Sequence, residues 1–228
     1  MQDPSRTPVL LSWSGGKDSA WALHVLREDS AFDVVGLVTT VTDAYDRVAM
    51  HGIRRDVLHA QAAAAALPLI EARLPRDPDN AAYEAAFADA LAKARADHPA
   101  LHHVAFGDLF LEDVRDYRDA LCARLAWQGI YPLWGSDTRE LAARMIDGGL
   151  RASLCCVDTQ QLDAAFCGRT FDAALLADVP STIDPCGERG EFHTCVHAGP
   201  MFARPLALRP GETVLRDGRF AFTDCLLD

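Results

Sequence analysis

Apolar and polar positions follow two alternating patterns in the first half of the chain. "PVLLSW" (8–13) and "FDVVGLVTTV" (32–41) are short, continuous apolar runs, which are typical of buried strands. "PLIEA" (68–72) and "HHVAFG" (102–107) are predicted as two further strands. Because segments of helical spacing separate the runs, the pattern predicts a mostly parallel sheet with helices on both faces.

The segments between these strands carry apolar residues at helical spacing. Arg55 to Ala66 is predicted as a helix, which Pro68 closes. Three other helices are predicted from apolar residues on one face: Trp21, Leu23, Val25 and Leu26; Tyr83, Phe87 and Leu91; Val114, Tyr117, Leu121 and Leu125. Gly129 is predicted as the C-terminal cap of the last of these helices.

The pattern changes beyond about residue 133. Asp137 with Glu140 predicts the start of a helix over 138–147, and "LRASLCCV" (150–157) predicts a strand. Asp217-Gly218 lies between two alternating runs and predicts a β-hairpin. We therefore expect two domains, an α/β domain over 1–132 and a smaller α+β lobe over 133–228.

The amino-acid composition of the chain restricts the classes of partner that we expect for it. Half of its 228 residues are hydrophobic, yet no apolar run reaches the roughly 20 residues of a membrane helix. The first residues lack the basic and apolar regions of a secretory signal, so we expect a cytoplasmic protein. A net charge of −11 argues against nucleic acid as a partner. Seven scattered cysteines indicate reduced thiols. A homodimer is a separate candidate for the assembly of the chain.

The turn "SGGKDS" (14–19) lies between the first strand and the first helix. Glycines there let backbone N–H groups approach a phosphate, and the helix N-terminus adds a favourable dipole. It is not a Walker A loop, since Leu11 and Asp18 occupy the positions of its first glycine and its Ser or Thr. Asp18 beside phosphates indicates Mg²⁺, and Lys17 is expected to neutralise a departing phosphate group. The alternative is an ordinary glycine turn with a helix-capping serine.

Polar residues that follow the second and fourth predicted strands are expected at the same crevice, because parallel strands end at one edge of a sheet. Arg54 is the candidate for a second phosphate contact, with a surface ion pair as its alternative. The expected nucleotide-binding residues are Ser12, Ser14, Gly15, Gly16, Lys17, Asp18, Ser19, Thr40, His51, Arg54, Gly107 and Asp108.

Titratable residues crowd the segment 184–193, where Asp184, Glu188, Glu191 and His193 are interspersed with glycines. The carboxylates are candidates to hold a metal on pyrophosphate, to orient an amine or to accept its proton, and His193 is a candidate acid or base. One alternative is a solvated acidic loop. Another is a zinc site, although the ligand set has an unusual spacing: Cys186, His193, Cys195 and His197.

The glycine turn resembles the PP-loop of the ATP pyrophosphatases, whose fold is of the adenine nucleotide alpha-hydrolase type. With "HGIRRDVLHAQAAAAALPL" (51–69), "FGDLFLEDVRDYRDAL" (106–121) and the segment 132–202, which contains "DPCGERGEFHT", the chain resembles the diphthine-ammonia ligase family over nearly its whole length. The resemblance implies a Rossmann-like (HUP-type) fold, ATP and Mg²⁺ as cofactors, and Asp18 as a metal ligand. It makes 1–132 the expected PP-loop ATP-binding domain and 133–228 the expected substrate-binding lobe. It also implies a set of catalytic residues: Lys17, Asp18, Glu188, Glu191 and His193.

The activity that the resemblance implies is an amide ligation. ATP adenylates a carboxylate, on a small molecule or a protein, and releases pyrophosphate; ammonia then displaces AMP. In archaeal and eukaryotic members the acceptor is diphthine on elongation factor 2. Two other functions stay open at this point: a sulfur transferase that uses Cys186 or Cys122, and a sensor that binds adenine nucleotide without catalysis.

Overall fold

The described part of the chain forms two β-sheets, and the first of them is mostly parallel. The computed structural model describes residues 6–48 and 52–228. Strands β4, β2, β1, β5 and β6 lie side by side in this order and are parallel, and the short β3 pairs antiparallel with the end of β2. Their bounds are β1 Thr7–Ser12, β2 Phe32–Thr42, β3 Arg47–Val48, β4 Leu69–Leu74, β5 His103–Ala105 and β6 Gln128–Ile130.

Helices cover both faces of this sheet, as the apolar pattern predicts. They are α1 Lys17–Glu28, α2 Arg55–Ala64, α3 Asn80–Asp97 and α4 Glu112–Arg124. Leu11 of β1 belongs to the apolar cluster that holds Leu23 of α1, and the adjacent Leu10 belongs to a second cluster with Phe87 of α3. Because neighbouring side chains of a strand point to opposite faces, β1 contributes to both clusters. The expected Rossmann-like α/β domain is confirmed.

The second sheet is antiparallel, in the order β8-β7-β10-β9. Its strands are β7 Arg151–Asp158, β8 Phe192–Ala198, β9 Leu208–Arg216 and β10 Phe220–Leu227. The same part of the chain contains the helices α5 Thr138–Asp147 and α6 Ala173–Asp178 and a short 3₁₀ turn at Ala164–Phe166. The predicted hairpin is confirmed: Asp217 and Gly218 join β9 to β10 with positive φ angles of 54° and 62°. The predicted helix start is confirmed too, since Asp137 accepts a hydrogen bond from the Glu140 amide at 2.9 Å.

The two sheets share one apolar cluster. Trp13 and Leu23 of the first sheet region pack in the same cluster as Leu154 and Val196 of the second. The division at residues 132 and 133 stays a prediction.

The predicted end of α4 is wrong. The helix stops at Arg124, and Ala126, with a φ of 56°, makes the left-handed turn that we assigned to Gly129. Gly129 instead lies in β6, opposite Val104 of β5. Tyr117 also departs from the predicted apolar face, because it is 37% exposed and donates a hydrogen bond to Glu84. Across the described ranges, no helix has the length and apolar character needed to span a membrane.

Candidate functional site

A cavity of about 520 Å³, the main cavity, opens at the carboxyl ends of β1 and β5. These strands are neighbours whose chain connections run to opposite sides, which is the topological switch point where α/β proteins bind ligands. Its walls include the glycine loop (residues 14–19), the loop after β5 and the acidic loop (residues 184–191), together with residues of α4 and β8. The predicted site residues that line it are Ser12, Ser14, Gly16, Lys17, Asp18, Ser19, Gly107, Asp108, Glu188 and His193.

The glycine loop turns directly into α1. Gly15 has a φ of 79°, and Gly16 is the N-cap of the helix with no side-chain cap hydrogen bond. The serine cap of the alternative interpretation is therefore wrong. Ser14 Oγ instead accepts from the Gly16 amide at 3.3 Å and lies 3.1 Å from Ser19 Oγ. The loop thus brings the N-terminus of α1, with its positive dipole end, to the main cavity.

The second sheet holds the glycine loop in place. The Gly15 carbonyl accepts from the Val196 amide of β8 and from Gln61 Nε2 of α2, each at 3.0 Å. The Lys17 amide donates to Thr194 Oγ1, also of β8, at 3.0 Å. Sequence reasoning missed Gln61 and Thr194, since each is an ordinary polar residue of a predicted element and no local pattern marks its partner.

Gly107 allows the loop after β5 to lie against the glycine loop. A Cβ atom at this position would stand 2.9 Å from the backbone carbon of Asp18 and from the Ser19 amide nitrogen. Backbone atoms cannot move aside as a flexible side chain can, so glycine is required there. The close approach puts the carboxylates of Asp18 and Asp108 in one cavity.

Lys17 joins the glycine loop to the acidic loop. Its side chain is 2% exposed, and Nζ donates to Asp18 Oδ2 at 2.8 Å and to the carbonyl oxygen of Cys186. The rings of Phe171 and Phe192 lie 5.7 and 5.4 Å from Nζ. Burial alone would lower the pKa of Lys17, but the adjacent Asp18 carboxylate outweighs it and the pKa is raised. The ammonium group is therefore charged and fixed.

Asp18 has one carboxylate oxygen available for a cation. Oδ2 bonds Lys17, whereas Oδ1 is buried and has no hydrogen-bond partner among the residues that the structure describes. Over those same ranges, no three His, Cys, Asp or Glu side chains form a group that could hold a metal ion by themselves. One carboxylate together with substrate phosphates is a usual way for proteins to bind Mg²⁺, so Asp18 fits that role.

Two carboxylates of the acidic loop shape the loop itself. Glu191 is 1% exposed and accepts from the amides of Asp184 and Arg189 at 2.8 and 2.9 Å. Asp184 accepts from the Cys186 amide at 2.9 Å and from Thr138 Oγ1 at 2.7 Å. Neither lines the main cavity, and a catalytic role for Glu191 stays a prediction.

Glu188 is the carboxylate of the acidic loop that lines the main cavity. Its Oε1 accepts from the Leu109 amide at 2.8 Å. Burial raises the pKa of Glu188 to about 7, and the nearby charges of Asp18 and Asp108 act in the same direction. A carboxylate with this pKa takes up and releases protons near neutral pH, which suits a general base.

His193 lines the same cavity from β8. Burial, together with the positive charge of Lys17, lowers the pKa of His193 to about 4. The imidazole is therefore neutral at physiological pH, and the same causes make it a weak proton acceptor.

Thr40 lines a neighbouring space, the side cavity, of about 370 Å³. Ser12 and Ser14 line both cavities, which places the two side by side. Arg54 lines neither cavity and forms an ion pair with Asp224 of β10 at 2.6 Å. His51 lies outside the described residues.

The thiols near the site are buried and protonated. Cys186 lines the main cavity, but its Sγ donates to the Thr138 carbonyl at 3.3 Å, and burial holds its pKa far above the usual range. Cys122 is 1% exposed, and burial raises its pKa to about 11. Since the thiolate is the reactive form, neither is set up as a nucleophile. Cys155 and Cys156 are buried in the core. Within the part of the chain that the structure describes, the four candidate zinc ligands form no metal-binding group.

The first sheet with its covering helices, the crevice at its switch point and the antiparallel lobe define a two-part α/β protein of the Rossmann-like class. Comparison with known proteins narrows this class. The family model described as the diphthamide synthase N-terminal domain matches residues 6–129, and that of the diphthamide synthase C-terminal domain matches residues 137–219. The chain belongs to the diphthamide synthase family.

A curated relative supports the same family. The diphthine–ammonia ligase of Schizosaccharomyces pombe is 26% identical to the chain over 219 residues, which cover 88% of this chain and 36% of the relative. The chain therefore spans about a third of the length of that relative. The resemblance that the glycine turn and the acidic segment indicated is confirmed.

Proposed function

We propose that the protein is an ATP-dependent ligase that adenylates a carboxylate, releasing pyrophosphate, and then amidates it with ammonia, releasing AMP. The observation that carries the proposal is that the amide-rich start of α1 and a carboxylate with a pKa of about 7, Glu188, face one cavity. The first feature suits a polyphosphate, and the second suits an amine that must lose a proton.

The nucleotide is proposed to lie across the two cavities. Its phosphates lie in the main cavity against the glycine loop, and its nucleoside lies in the side cavity, near Thr40 and Ser12. Mg²⁺, when bound, neutralises phosphate charge and is held by Asp18 through its available oxygen. The Lys17 ammonium, at the base of the loop, adds a fixed positive charge beside the phosphates.

Glu188 is proposed as the base of the second half-reaction. At neutral pH most ammonia in water is ammonium, which must lose a proton before its nitrogen can attack. The carboxylates of Asp18, Asp108 and Glu188 attract this cation to the main cavity. Glu188 Oε1 is bonded to the Leu109 amide, so Oε2 is the oxygen that takes the proton. His193 lies in the same cavity, but its low pKa makes it a weaker proton acceptor than Glu188.

The carboxylate acceptor is proposed to be of the diphthine kind. This follows from the name of the S. pombe relative and from the match of both domains of the family. Another carboxylate, on a protein or a small molecule, is the alternative. The second lobe is proposed to receive the acceptor, since its acidic loop and β8 line the main cavity. A cytoplasmic location and a homodimer stay predictions.

The test is incubation of the protein with ATP labelled at the α-phosphate, Mg²⁺, ¹⁵N-ammonium and either diphthine-bearing protein or a panel of small carboxylates. We expect labelled AMP, an equal amount of pyrophosphate and ¹⁵N in an amide of the acceptor. Labelled ADP would overturn the proposal. ATP binding without AMP under every acceptor would favour the sensor, and sulfur in the product would favour the transferase.

A further inference from the structure

One cationic side chain, Arg118 of α4, lines both cavities. Arg118 lines the main cavity together with Asp108, and it lines the side cavity together with Thr40. Three other cationic side chains within the described residues line the main cavity, and none of them also lines the side cavity: Lys17, Arg189 and Arg219. Arg118 is thus the cation at the junction of the two spaces.

Contacts on two sides hold this guanidinium. Arg118 Nε lies 2.8 Å from Asp108 Oδ2, and Nη2 donates to Asp108 Oδ1 at 3.2 Å. The Phe106 ring lies beneath the group, with its centroid 4.4 Å from Cζ. Phe106 and Asp108 flank Gly107, whose backbone lies against that of Asp18 and Ser19. The loop after β5 therefore fixes Arg118 relative to the glycine loop.

Lys17, the cation of the glycine loop, already has partners for its ammonium group. Lys17 Nζ is buried between Asp18 and the Cys186 carbonyl, and the neighbouring rings of Phe171 and Phe192 lie close to it. Arg118, with a side chain that is 26% exposed, retains access to the cavities, and a guanidinium has five N–H donors, of which Asp108 uses only some. It can bind a phosphate oxygen without giving up its ion pair.

We propose that Arg118 binds the α-phosphate of the nucleotide. This inference rests on the proposed function, which puts the nucleoside in the side cavity and the polyphosphate in the main cavity. The α-phosphate is the group that links these two parts of ATP, so it lies at their junction. When the acceptor carboxylate attacks the α-phosphorus and the bond to the bridging oxygen of pyrophosphate breaks, Arg118 stays with the AMP moiety and offsets the charge on its phosphate. Asp108 acts as a positioning residue for Arg118.

The test compares three probes on Arg118→Ala: ATP, AMP and adenosine, with affinities measured by calorimetry. We expect ATP and AMP to bind about 10- to 100-fold more weakly than to the unaltered protein, as for the loss of a charged hydrogen bond. Adenosine, which lacks the phosphate, should bind within about twofold of its unaltered affinity. Arg118→Lys should lie between, because an ammonium cannot form the planar two-point contact.

The matched control is Arg124→Ala on the same helix. Arg124 is 54% exposed, pairs with Glu84 and lines neither cavity, so all three affinities should be unchanged. Thermal unfolding of each variant shows whether it is folded, and Arg118→Lys provides the comparison if the alanine variant is not.

Three results would overturn the assignment. Unchanged AMP affinity with weakened ATP would place Arg118 on the β- or γ-phosphate. Equal losses for AMP and adenosine would make the residue structural, and no loss for any probe would leave it outside the site. In all three the unaltered protein still binds ATP and forms AMP, so that the proposed function survives. If the unaltered protein binds no ATP, both proposals fail together.

Discussion

The glycine loop and the acidic loop face each other across one cavity, but they are built in opposite ways. The glycine loop is short and is held from outside, by Val196 and Thr194 of β8 and by Gln61 of α2. The acidic loop also contacts Thr138 and Lys17, but its shape is set mainly from inside, because its own carboxylates Asp184 and Glu191 accept hydrogen bonds from its backbone amides. A charged residue in a functional loop can therefore stabilise the shape of the loop, as Asp184 and Glu191 do, instead of facing the cavity.

Lys17 is the side chain that connects the two loops, and its loss should have the largest effect. Lys17→Ala leaves Asp18 without its buried partner, so we expect the free energy of unfolding to fall by about 3–5 kcal/mol. AMP formation should fall by about 100-fold or more, since a fixed charge beside the phosphates is lost. Denaturant unfolding and an AMP assay measure the two effects. Lys93→Ala, at an exposed position, is the control; unaltered AMP formation in Lys17→Ala would contradict the proposed role.

Glu188→Gln should separate chemistry from stability. The glutamine carbonyl can still accept from the Leu109 amide, so the fold is kept, whereas the base is lost and amide formation should fall by about 100-fold. In the unaltered protein kcat/KM should rise as pH increases through about 7, when Glu188 loses its proton. The variant should lack this rise. A pH profile that is the same in both proteins would exclude Glu188 as the base.

The same pair of proteins tests the effect of Glu188 on stability. Its pKa is raised in the folded state, so the folded protein holds the proton more tightly than the unfolded chain. The stability that this group contributes is present below its unfolded pKa and is lost as pH rises through about 7. The difference in the free energy of unfolding, Glu188→Gln minus the unaltered protein, should therefore be more positive at pH 8 than at pH 5.

Glu191→Gln should show the reverse behaviour of Glu188→Gln. The amide NH₂ group replaces one acceptor oxygen and faces a backbone N–H, either that of Asp184 or that of Arg189. The free energy of unfolding should fall by about 1–3 kcal/mol, with lower activity as a consequence of the altered loop. A Glu191→Gln variant that keeps full stability but loses activity would instead support a catalytic role for Glu191.

Thr194→Val tests whether the second sheet supports the glycine loop. The Lys17 amide loses its acceptor, and we expect the free energy of unfolding to fall by about 1 kcal/mol and ATP to bind about 3- to 10-fold more weakly. Thr213→Val is the control, because Thr213 bonds Thr223 within the β9–β10 hairpin, away from the glycine loop. Equal ATP affinities in the two variants would show that the glycine loop keeps its shape without the hydrogen bond to Thr194.

Cys186→Ser should have the smallest effect. The serine hydroxyl can donate to the Thr138 carbonyl as the thiol does, so the turnover in the AMP assay should stay within about twofold. Loss of turnover with the fold preserved, as measured by thermal unfolding, would favour sulfur transfer.

Much of the site could be predicted because its signals are local. The order of strand, glycine turn and helix placed residues 14–19 correctly, and the positions after β5 put Gly107 and Asp108 at the same crevice. Arg118 could not be found in this way. It stands in mid-helix among other charged residues, and only the packing of α4 beside Phe106 brings it to the cavities.

The amino-acid sequence is enough to predict the βα alternation, the helix start at Asp137 and the hairpin at Asp217-Gly218, because each depends on residues close together in the chain, where spacing fixes geometry. Motifs along the chain also indicate the family. The packing of the two sheets, in contrast, sets which carboxylate of the acidic loop faces the cavity and what Lys17 contacts. Those outcomes depend on partners such as Thr194, which is 177 residues from Lys17, and contacts at that separation are set by how the two sheets pack.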